Sequence, residues 1–284
     1  MRTTTRLRQM LEEPGIIVAP GAYDCLTAKI IQRAGFPAVY MTGAGTSVAR
    51  LGYPDLALAT QSEMLANAAA IAAVVDVPVI ADADTGYGGV LNVQRTVRQY
   101  ERAGVAALHL EDQEFPKRCG HLDDKRVVPT AEMVQKIRAA VDARTDDDFV
   151  IIARTDALAV TGWDDTLRRC QAYAKAGADV LFVEALRTPE EAERVAHTFD
   201  LPLLYNFVES GKSPLLSVPW KPAHTTIDPA ILYFGTPVVL VSSTNPDGSP
   251  NLAPMSSAWW LGRSCVLGFG ARSQTPANIL RTGE

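Results

Sequence analysis

Polar and ionisable residues follow the short apolar runs that recur through the first two hundred residues of the sequence. The groups at successive run ends are Asp82 and Asp84, then Glu111 and Asp112, then Arg154 and Asp156, then Glu184, and finally Asn206 and Glu209. Residues two apart in a β-strand point the same way, so Asp82 and Asp84 are expected to project together. A helix N-cap or a solvent contact would explain a single aspartate of this kind. Five successive runs with such ends instead predict that the groups converge on one site.

Carboxylates that converge on one site need a compensating charge, because like charges a few ångströms apart repel and raise each other's pKa. A divalent cation supplies that charge, and Mg²⁺ or Mn²⁺ suits a set of oxygen ligands. Since Mg²⁺ keeps several of its waters, only one or two of the carboxylates need to touch it. A carboxylate–arginine network that uses Arg154 is the alternative without a metal.

The loop after the fourth run, EFPKRCGH, surrounds a cysteine with basic residues. Cys119 follows Lys117 and Arg118 and precedes His121. Neighbouring cations lower the pKa of a thiol, which suits a proton donor or acceptor that works near neutral pH. Gly120 gives the loop freedom to close over a substrate. An incidental loop cysteine accounts for the spacing equally well.

Seven apolar runs alternate with amphipathic helical stretches up to about Val218, and these elements must position the polar groups. The predicted strands lie in GIIVAPG, AVYMTGAG, VPVIADAD, AALHLED, FVIIARTD, VLFVEA and LPLLYNFVE. Several intervening helices end at a glycine suited to a left-handed C-cap, namely Gly35, Gly104 and Gly177. Seven such units favour an α/β fold of the (β/α)₈ TIM-barrel type over an open doubly wound sheet. The carboxyl ends of the strands, where the polar residues fall, are where such barrels keep their chemistry.

The bulk properties of the 284-residue chain exclude several classes of protein. The net charge of −5 gives no basic surface for nucleic acid. No apolar run approaches the roughly 18 residues of a membrane helix, and the opening segment predicts a short amphipathic helix rather than a signal peptide. The four cysteines are scattered without a CxxC pair, which favours reduced thiols and a cytoplasmic location.

The segment from about Leu7 to Val218 resembles the isocitrate lyase/PEP mutase superfamily. The motifs that carry the resemblance occur in order with family-like spacing: PGAYD, YMTGAG, GYPD, ADADTGYGG, EDQ, PKRCGH, ARTDA, FVEA and NFVESGKSP. The KRCGH form is similar to the lyase branch, where the cysteine is a general acid or base, whereas the phosphonate mutases lack it. The resemblance implies a Mg²⁺-dependent lyase on a barrel fold, with a small carboxylate substrate and a homo-oligomeric state (a tetramer in the family).

The resemblance also implies a role for each candidate residue. Asp84 would contact Mg²⁺ most directly, while Asp82 and Glu111 would hold its waters. The substrate site would comprise Thr42, Gly43, Ala44, Asp55, Gly120 and Asn206. The catalytic set would comprise Lys117, Cys119, His121, Arg154 and Glu184.

The implied reaction is retro-aldol cleavage of a 2-hydroxy di- or tricarboxylate such as methylisocitrate or dimethylmalate. A 2-oxo acid such as pyruvate or glyoxylate would leave, and the enolate-like partner would take a proton from Cys119. Methylisocitrate-specific relatives tend to carry TEFG after strand seven, whereas this chain has VESG at Val208–Gly211. That form is similar to members acting on 2,3-dimethylmalate, oxaloacetate or carboxyphosphonoenolpyruvate. Oxaloacetate decarboxylation and a PEP mutase-like reaction therefore stay open.

Helix–strand alternation stops after PLLSV, and consecutive strands follow. This change predicts a barrel over residues 1–218 that lacks its usual eighth strand, followed by a short antiparallel β segment over residues 219–284. The stretches SSAWWLGRS and GFGARSQTPANI resemble the start of a flavin reductase-like, FMN-binding split barrel. Only about three strands of such a domain are present, so FMN binding is expected to be weak or absent. A flavin-binding module and an inactive fusion protein are the alternatives of another class.

The strands of this final segment are predicted to pair with one another. The turn NPDG indicates a hairpin. Thr236–Thr244, Asn251–Leu261 and Ser264–Gly270 are expected to form an antiparallel meander, because strands close in sequence pair at a small loop-closure cost. In the alternative, Ile231–Ser243 pairs with Ile16–Val18 and closes the barrel.

Overall fold

The computed structural model describes residues 1–120, 124–186, 188–206, 239–244, 246–247, 250–255, 258–261, 264–267 and 281. Two compact units divide the chain, Met1–Lys221 and Pro222–Glu284. Within the described parts of the chain, no helix is long and apolar enough to cross a membrane.

The first unit contains a curled parallel sheet whose seven strands follow chain order. The strands are β1 Gly21–Ala22, β2 Val39–Met41, β3 Val79–Asp82, β4 Ala107–Glu111, β5 Val150–Thr155, β6 Val180–Val183 and β7 Leu203–Leu204. Each strand is parallel to the next. The prediction of an α/β barrel-type fold with seven parallel strands and intervening helices is confirmed.

Helices precede and connect the strands. They are α1 Thr3–Glu12, α2 Cys25–Arg33, α3 Gly43–Leu51, α4 Gln61–Ala72, α5 Val90–Arg102, α6 Thr130–Ala143, α7 Ala157–Val160, α8 Trp163–Lys175 and α9 Pro189–Ala196. Thr60 and Thr188 start α4 and α9 with capping boxes, in which a glutamate three residues on returns a contact to the cap. Gly35, Gly104 and Gly177 have φ angles of 87°, 86° and 102°, as expected for residues that end helices in the left-handed region.

The strand residues alternate between two apolar layers. Ile80, Ala107, Val150, Ile152 and Phe182 face the interior of the curled sheet, where Leu7 of α1 packs against them. The intervening residues of the same strands pack outward against the helices, in a larger cluster that includes Ala81, Leu108, Leu110, Ile151 and Ala153. This alternation decides which residues reach the site, because every second residue faces the interior along the whole strand, including its carboxyl end.

The first strand lies later in the chain than the sequence predicts. The predicted strand is GIIVAPG, but β1 consists of Gly21–Ala22, and Ile16 is 90% exposed. Among the described residues β1 pairs only with β2, so the segment before it has no neighbour on its other side to extend the ladder. The Tyr40 N–H still donates to the Pro20 carbonyl at 3.0 Å, and Ile17 packs against the interior cluster.

The described strands of the second unit form two separate antiparallel hairpins. β8 Val239–Thr244 pairs with β9 Pro250–Met255 across the NPDG turn, as predicted. β10 Ala258–Leu261 pairs with β11 Ser264–Leu267. The predicted single strand Asn251–Leu261 is therefore wrong, because its two halves belong to different sheets. The alternative pairing of Ile231–Ser243 with the first strand is not seen for the described residues of β8, and residues 231–238 lie outside them.

Candidate active site

The candidate residues of three neighbouring strands lie together at the carboxyl end of the curled sheet, which we call the mouth. Register pairs Asp82 of β3 with His109 of β4, and Glu111 of β4 with Arg154 of β5. All four belong to the alternate residues that face the interior of the curled sheet. Each is less than 9% exposed, so their charges interact with little screening by water.

Asp84 and Asp55 share the ammonium group of Lys117. The Lys117 Nζ lies 2.6 Å from Asp84 Oδ1 and 2.7 Å from Asp55 Oδ2. Burial raises the pKa of Asp84 to about 7, although Lys117 acts in the opposite direction. Burial also lowers the pKa of Lys117, but the surrounding carboxylates outweigh it and the pKa lies above its ordinary value. The ammonium group is therefore a fixed positive charge rather than a base.

Asp82 is oriented by a chain of hydrogen bonds through His109 to Tyr40. Asp82 Oδ1 lies 2.8 Å from His109 Nε2, and the Tyr40 hydroxyl lies 3.0 Å from His109 Nδ1. Burial lowers the pKa of His109 to about 4, so the ring is neutral near pH 7. A neutral ring that donates from Nε2 to Asp82 accepts at Nδ1 from Tyr40. Burial works against ionisation of Asp82, but contact with His109 and the charges of Lys117 and Arg154 hold its pKa below the ordinary value.

The guanidinium of Arg154 joins three carboxylates. Its Nε lies 3.3 Å from Glu111 Oε2, and its Nη2 lies 3.4 Å from Glu184 Oε2. Asp156 accepts two hydrogen bonds from it, from Nε at 2.9 Å and Nη2 at 3.1 Å. Asn206 Nδ2 donates to Glu184 Oε2 at 3.4 Å, which brings the end of β7 to the same site.

The amino terminus of α3 opens onto the mouth beside Asp82. Thr42 caps the helix by accepting from the Gly45 N–H at 3.2 Å. Gly43 is required there, because a Cβ at this position would collide with the Asp82 carboxylate. The N–H groups of Gly43 and Ala44 belong to the first helical turn, where backbone donors have no intrahelical partner and attract anions.

The loop that carries Cys119 crosses the mouth. The Cys119 N–H donates to the Asp55 carbonyl at 3.0 Å. Gly120 lies against Arg154 and Glu184, since an added Cβ would be 2.5 Å from Arg154 Nη2. Lys125 Nζ donates to the Gly120 carbonyl and lies 3.2 Å from Asp156 Oδ1. His121, predicted as a catalytic residue, lies outside the described residues, as does Glu209.

The buried carboxylates of the mouth fit a hydrated divalent cation. Among the described residues Glu111 Oε1 is buried without a hydrogen-bond partner, whereas Asp84 Oδ1 is buried against Lys117 Nζ at 2.6 Å. Burial raises the pKa of Glu111 well above its ordinary value. Within the described ranges, no group of three or more His, Cys, Asp or Glu side chains is close enough to bind a metal directly. Since Mg²⁺ keeps several of its waters, one direct carboxylate ligand with others acting through water stays the prediction.

Asp112, which follows Glu111 in the chain, points away from the mouth. It accepts hydrogen bonds from the Tyr173 hydroxyl at 2.7 Å, Thr155 Oγ1 at 2.7 Å, Arg169 Nη1 at 3.1 Å and the Asp156 N–H at 3.0 Å. Its role is to join β4, β5 and α8. The sequence grouped it with the other strand-end acids, but strand alternation sends it into the outer layer.

Three residues of the site were not predicted from the sequence: Tyr40, His109 and Lys125. Asp156 was expected there as a strand-end group but was given no role. Tyr40 is two residues before Thr42, and His109 is two residues before Glu111, so the period-two rule would have placed both on the interior face. Lys125 carries no such signal, because its place depends on how the loop returns to Gly120.

Comparison with known sequences identifies the family of the chain. The sequence model of a family described as phosphoenolpyruvate phosphomutase matches residues 7–218. The chain belongs to the PEP mutase/isocitrate lyase superfamily. It is 52% identical over 216 residues to 2,3-dimethylmalate lyase from Eubacterium barkeri, covering 76% of this chain and 75% of that protein. It is 50% identical over 210 residues to the probable 2-methylisocitrate lyase 2 of Corynebacterium glutamicum, covering 74% and 68%.

Among solved structures, 2,3-dimethylmalate lyase, described as a PEP mutase/isocitrate lyase superfamily member, matches with a TM-score of 0.72 and 49% identity, covering 74% of this chain and 71% of that one. Oxaloacetate acetylhydrolase in complex with the inhibitor 3,3-difluorooxalacetate matches with a TM-score of 0.72 and 47% identity, covering 75% of this chain and 73% of that one. The predicted family and its lyase branch are confirmed. The roles of individual site residues stay predictions. The family match ends at residue 218, and the flavin reductase resemblance of the segment after it also stays a prediction.

Proposed function

We propose that the chain is a carbon–carbon lyase that cleaves a 2-hydroxy di- or tricarboxylate of the dimethylmalate or methylisocitrate type. The products are a 2-oxo acid, such as pyruvate or glyoxylate, and a second carboxylate. The observation that carries the proposal is the mouth itself. Buried carboxylates lie there beside a fixed ammonium group and under a loop that carries a cysteine, and Glu111 Oε1 has no hydrogen-bond partner among the described residues.

The substrate carboxylates have two places to bind. The first turn of α3 offers the N–H groups of Gly43 and Ala44 and the hydroxyl of Thr42, next to the positive end of the helix. Arg154 offers a guanidinium at the end of β5, paired with Glu184, to which Asn206 also donates. Two anion sites of this kind suit a dicarboxylate.

The acid cluster holds a divalent cation in this proposal. The superfamily is generally Mg²⁺-dependent. Asp84 would bind Mg²⁺ directly, while Asp82 and Glu111 would hold its waters. When bound, the ion supplies a Lewis acid that stabilises negative charge on the cleaving fragment.

Proton transfer falls to the loop. Cys119 is placed over the mouth by its backbone contact with Asp55, and it donates a proton to the carbanionic carbon after the bond breaks. Lys117 keeps its charge and stabilises the oxygen of the cleaved fragment on which negative charge develops. Glu184 fixes Arg154 through the ion pair at 3.4 Å, and Gly120 leaves room for that guanidinium. His121 completes the catalytic set.

A second candidate is cleavage or decarboxylation of oxaloacetate. The structural match to oxaloacetate acetylhydrolase at 47% identity favours it. Oxaloacetate is also a C4 dicarboxylate, so the same two anion sites would accept it. The products separate the candidates, because decarboxylation releases carbon dioxide with pyruvate, hydrolysis releases oxalate with acetate, and a PEP mutase-like enzyme would release neither pair.

For the chain as a whole we propose a barrel over residues 1–218 and a flavin reductase-like β fragment over 219–284, in a cytoplasmic homo-oligomer. The boundary between compact units at Lys221 and Pro222 supports the division. We expect the purified protein to be colourless. A flavin absorbance band that survives gel filtration would instead favour a flavin-binding module.

The proposed function is tested by measuring 2-oxo acid release from 2,3-dimethylmalate, 2-methylisocitrate and oxaloacetate. Cleavage should be lost with EDTA and restored by added Mg²⁺. Cys119→Ser should reduce turnover of the cleaved substrate about 10²- to 10⁴-fold, the contribution of a positioned acid–base group, and leave Mg²⁺ affinity unchanged. Equal cleavage by the variant, or cleavage that persists in EDTA, would show that the mechanism is wrong.

A further inference from the structure

Three consecutive residues of the Cys119 loop are held by different partners. The Gln113 side chain accepts from the Arg118 N–H at 3.0 Å and donates to the Arg118 carbonyl at 2.8 Å. The Cys119 N–H is held by the Asp55 carbonyl, and the Gly120 carbonyl accepts from Lys125 Nζ. The last contact differs from the others because a buried charged side chain makes it, and that charge is tied to the mouth.

Asp156 connects this loop contact to Arg154. One carboxylate accepts two hydrogen bonds from the Arg154 guanidinium, at 2.9 and 3.1 Å, and forms an ion pair with Lys125 at 3.2 Å. Asp156 is 1% exposed, and its own N–H is held by Asp112 at 3.0 Å. A carboxylate fixed in this way has little freedom to move. It therefore fixes the positions of the Arg154 guanidinium and the Lys125 ammonium group that bind it.

The two cations then hold Gly120 from two sides. Lys125 binds its carbonyl, and Arg154 lies so close to its Cα that no side chain fits between them. Any shift of Lys125 or Asp156 therefore moves Gly120 relative to Arg154, and with it the preceding residue, Cys119.

We propose that Lys125 and Asp156 form a positioning pair that fixes the Cys119–Gly120 segment against Arg154. Neither residue contacts the reacting atoms. The pair sets the distance between the loop that carries the proton donor and the guanidinium that binds the substrate. The inference rests on the proposed function for its effect on turnover, but its effect on the position of Cys119 is independent of any substrate.

The test measures the rate at which iodoacetamide alkylates Cys119, followed peptide by peptide by mass spectrometry on the full-length protein. Cys25 of α2, which is partly exposed like Cys119, is the internal reference. Lys125→Met removes the loop contact but keeps the length of the side chain. Asp156→Asn keeps the shape of the side chain but weakens its contacts with Arg154 and Lys125. This second variant tests the inference if Lys125→Met does not fold.

Arg144→Met is the matched control. Arg144 Nη1 also joins a backbone carbonyl to an aspartate, Phe149 at 3.0 Å and Asp179 at 2.8 Å, but at the amino ends of β5 and β6. Both test variants should change the alkylation rate of Cys119 relative to Cys25, and the control should leave that ratio unchanged. With a substrate, kcat should fall about 10²-fold in the test variants, with a smaller change in KM.

An unchanged Cys119 ratio in the folded test variants would overturn the inference. An equal change in Arg144→Met would do the same, because it would indicate general loosening of the sheet. If the ratio changes as expected while the wild-type protein cleaves no 2-hydroxy acid, the positioning pair stands and the proposed function fails.

Discussion

The mouth of the curled sheet and the layer between sheet and helices both contain buried acids, but they differ in the hydrogen-bond partners that they give those acids. Glu111 and Asp112 are consecutive residues and almost fully buried. Among the residues that the structure describes, Glu111 Oε1 has no hydrogen-bond partner, whereas Asp112 accepts from four donors. Burial raises the pKa of both carboxyls, but Tyr173, Asp156 and Thr155 lower that of Asp112 by hydrogen bonding.

Burial and residue type therefore do not distinguish a binding site from a structural network. The balance of positive and negative charges distinguishes them. Among the described residues the mouth collects six carboxylates, Asp55, Asp82, Asp84, Glu111, Asp156 and Glu184, around the three cations Lys117, Lys125 and Arg154. That excess of negative charge is costly unless a further cation binds or a carboxylate takes up a proton. The outer layer shows no such excess around Asp112, which faces Arg169 and neutral donors.

The largest expected effect comes from the outer layer. Asp112→Ala removes the acceptor of four donors and leaves the buried Arg169 without one of its two carboxylates, so it should destabilise the protein by about 3–5 kcal/mol. Asp112→Asn, which keeps one acceptor oxygen, should cost less. Urea denaturation of the two variants measures the difference. If Asp112→Ala lowers the free energy of unfolding by less than about 1 kcal/mol, Asp112 does not have the structural role that distinguishes it from Glu111 at the mouth.

The neighbouring change at the mouth should behave differently. Glu111→Gln replaces a carboxylate by a neutral group of the same shape, which relieves repulsion from the other acids. The metal-free variant should be at least as stable as the wild type, while Mg²⁺ affinity or turnover falls about 10- to 100-fold, as for residues that hold a metal's waters. Thermal unfolding without metal and Mg²⁺ titration by calorimetry test both parts. A destabilised variant with unchanged Mg²⁺ affinity would give Glu111 a structural role like that of Asp112.

The smallest expected effect is a pH dependence of Mg²⁺ binding. Burial raises the pKa of Asp84 to about 7, so below that pH Mg²⁺ must displace a proton. The dissociation constant should therefore be about tenfold higher at pH 6 than at pH 8, as expected for displacement of one proton.

The same shift fixes the sign of the stability change. The folded-state pKa of Asp84 lies above the unfolded value of about 3.9, so the metal-free folded state binds the extra proton. The stabilisation that this proton gives to the folded state is then lost as the pH rises from about 4 to 7. A dissociation constant that does not change between pH 6 and pH 8 would contradict the environment described for Asp84.

Sequence patterns alone predict the fold class, the seven parallel strands with their intervening helices, the helix ends at Gly35, Gly104 and Gly177, and the convergence of Asp82, Glu111 and Arg154. These features depend on local periodicity and on the rule that parallel strands present their carboxyl ends at one edge, and both are visible in the order of residues. The hairpin at NPDG was predictable for the same reason, since its strands are close in sequence.

The tertiary structure alone decided which strand-end acids face the mouth and which side chains hold them. His109 meets Asp82 across 27 residues, Lys117 meets Asp55 across 62, and Arg169 meets Asp112 across 57. Lys125 reaches Asp156 only because the loop folds back. Local propensity carries no information about such pairs, because their partners are brought together by the curl of the sheet. The shortened first strand has a related cause, since among the described residues β1 pairs only with β2.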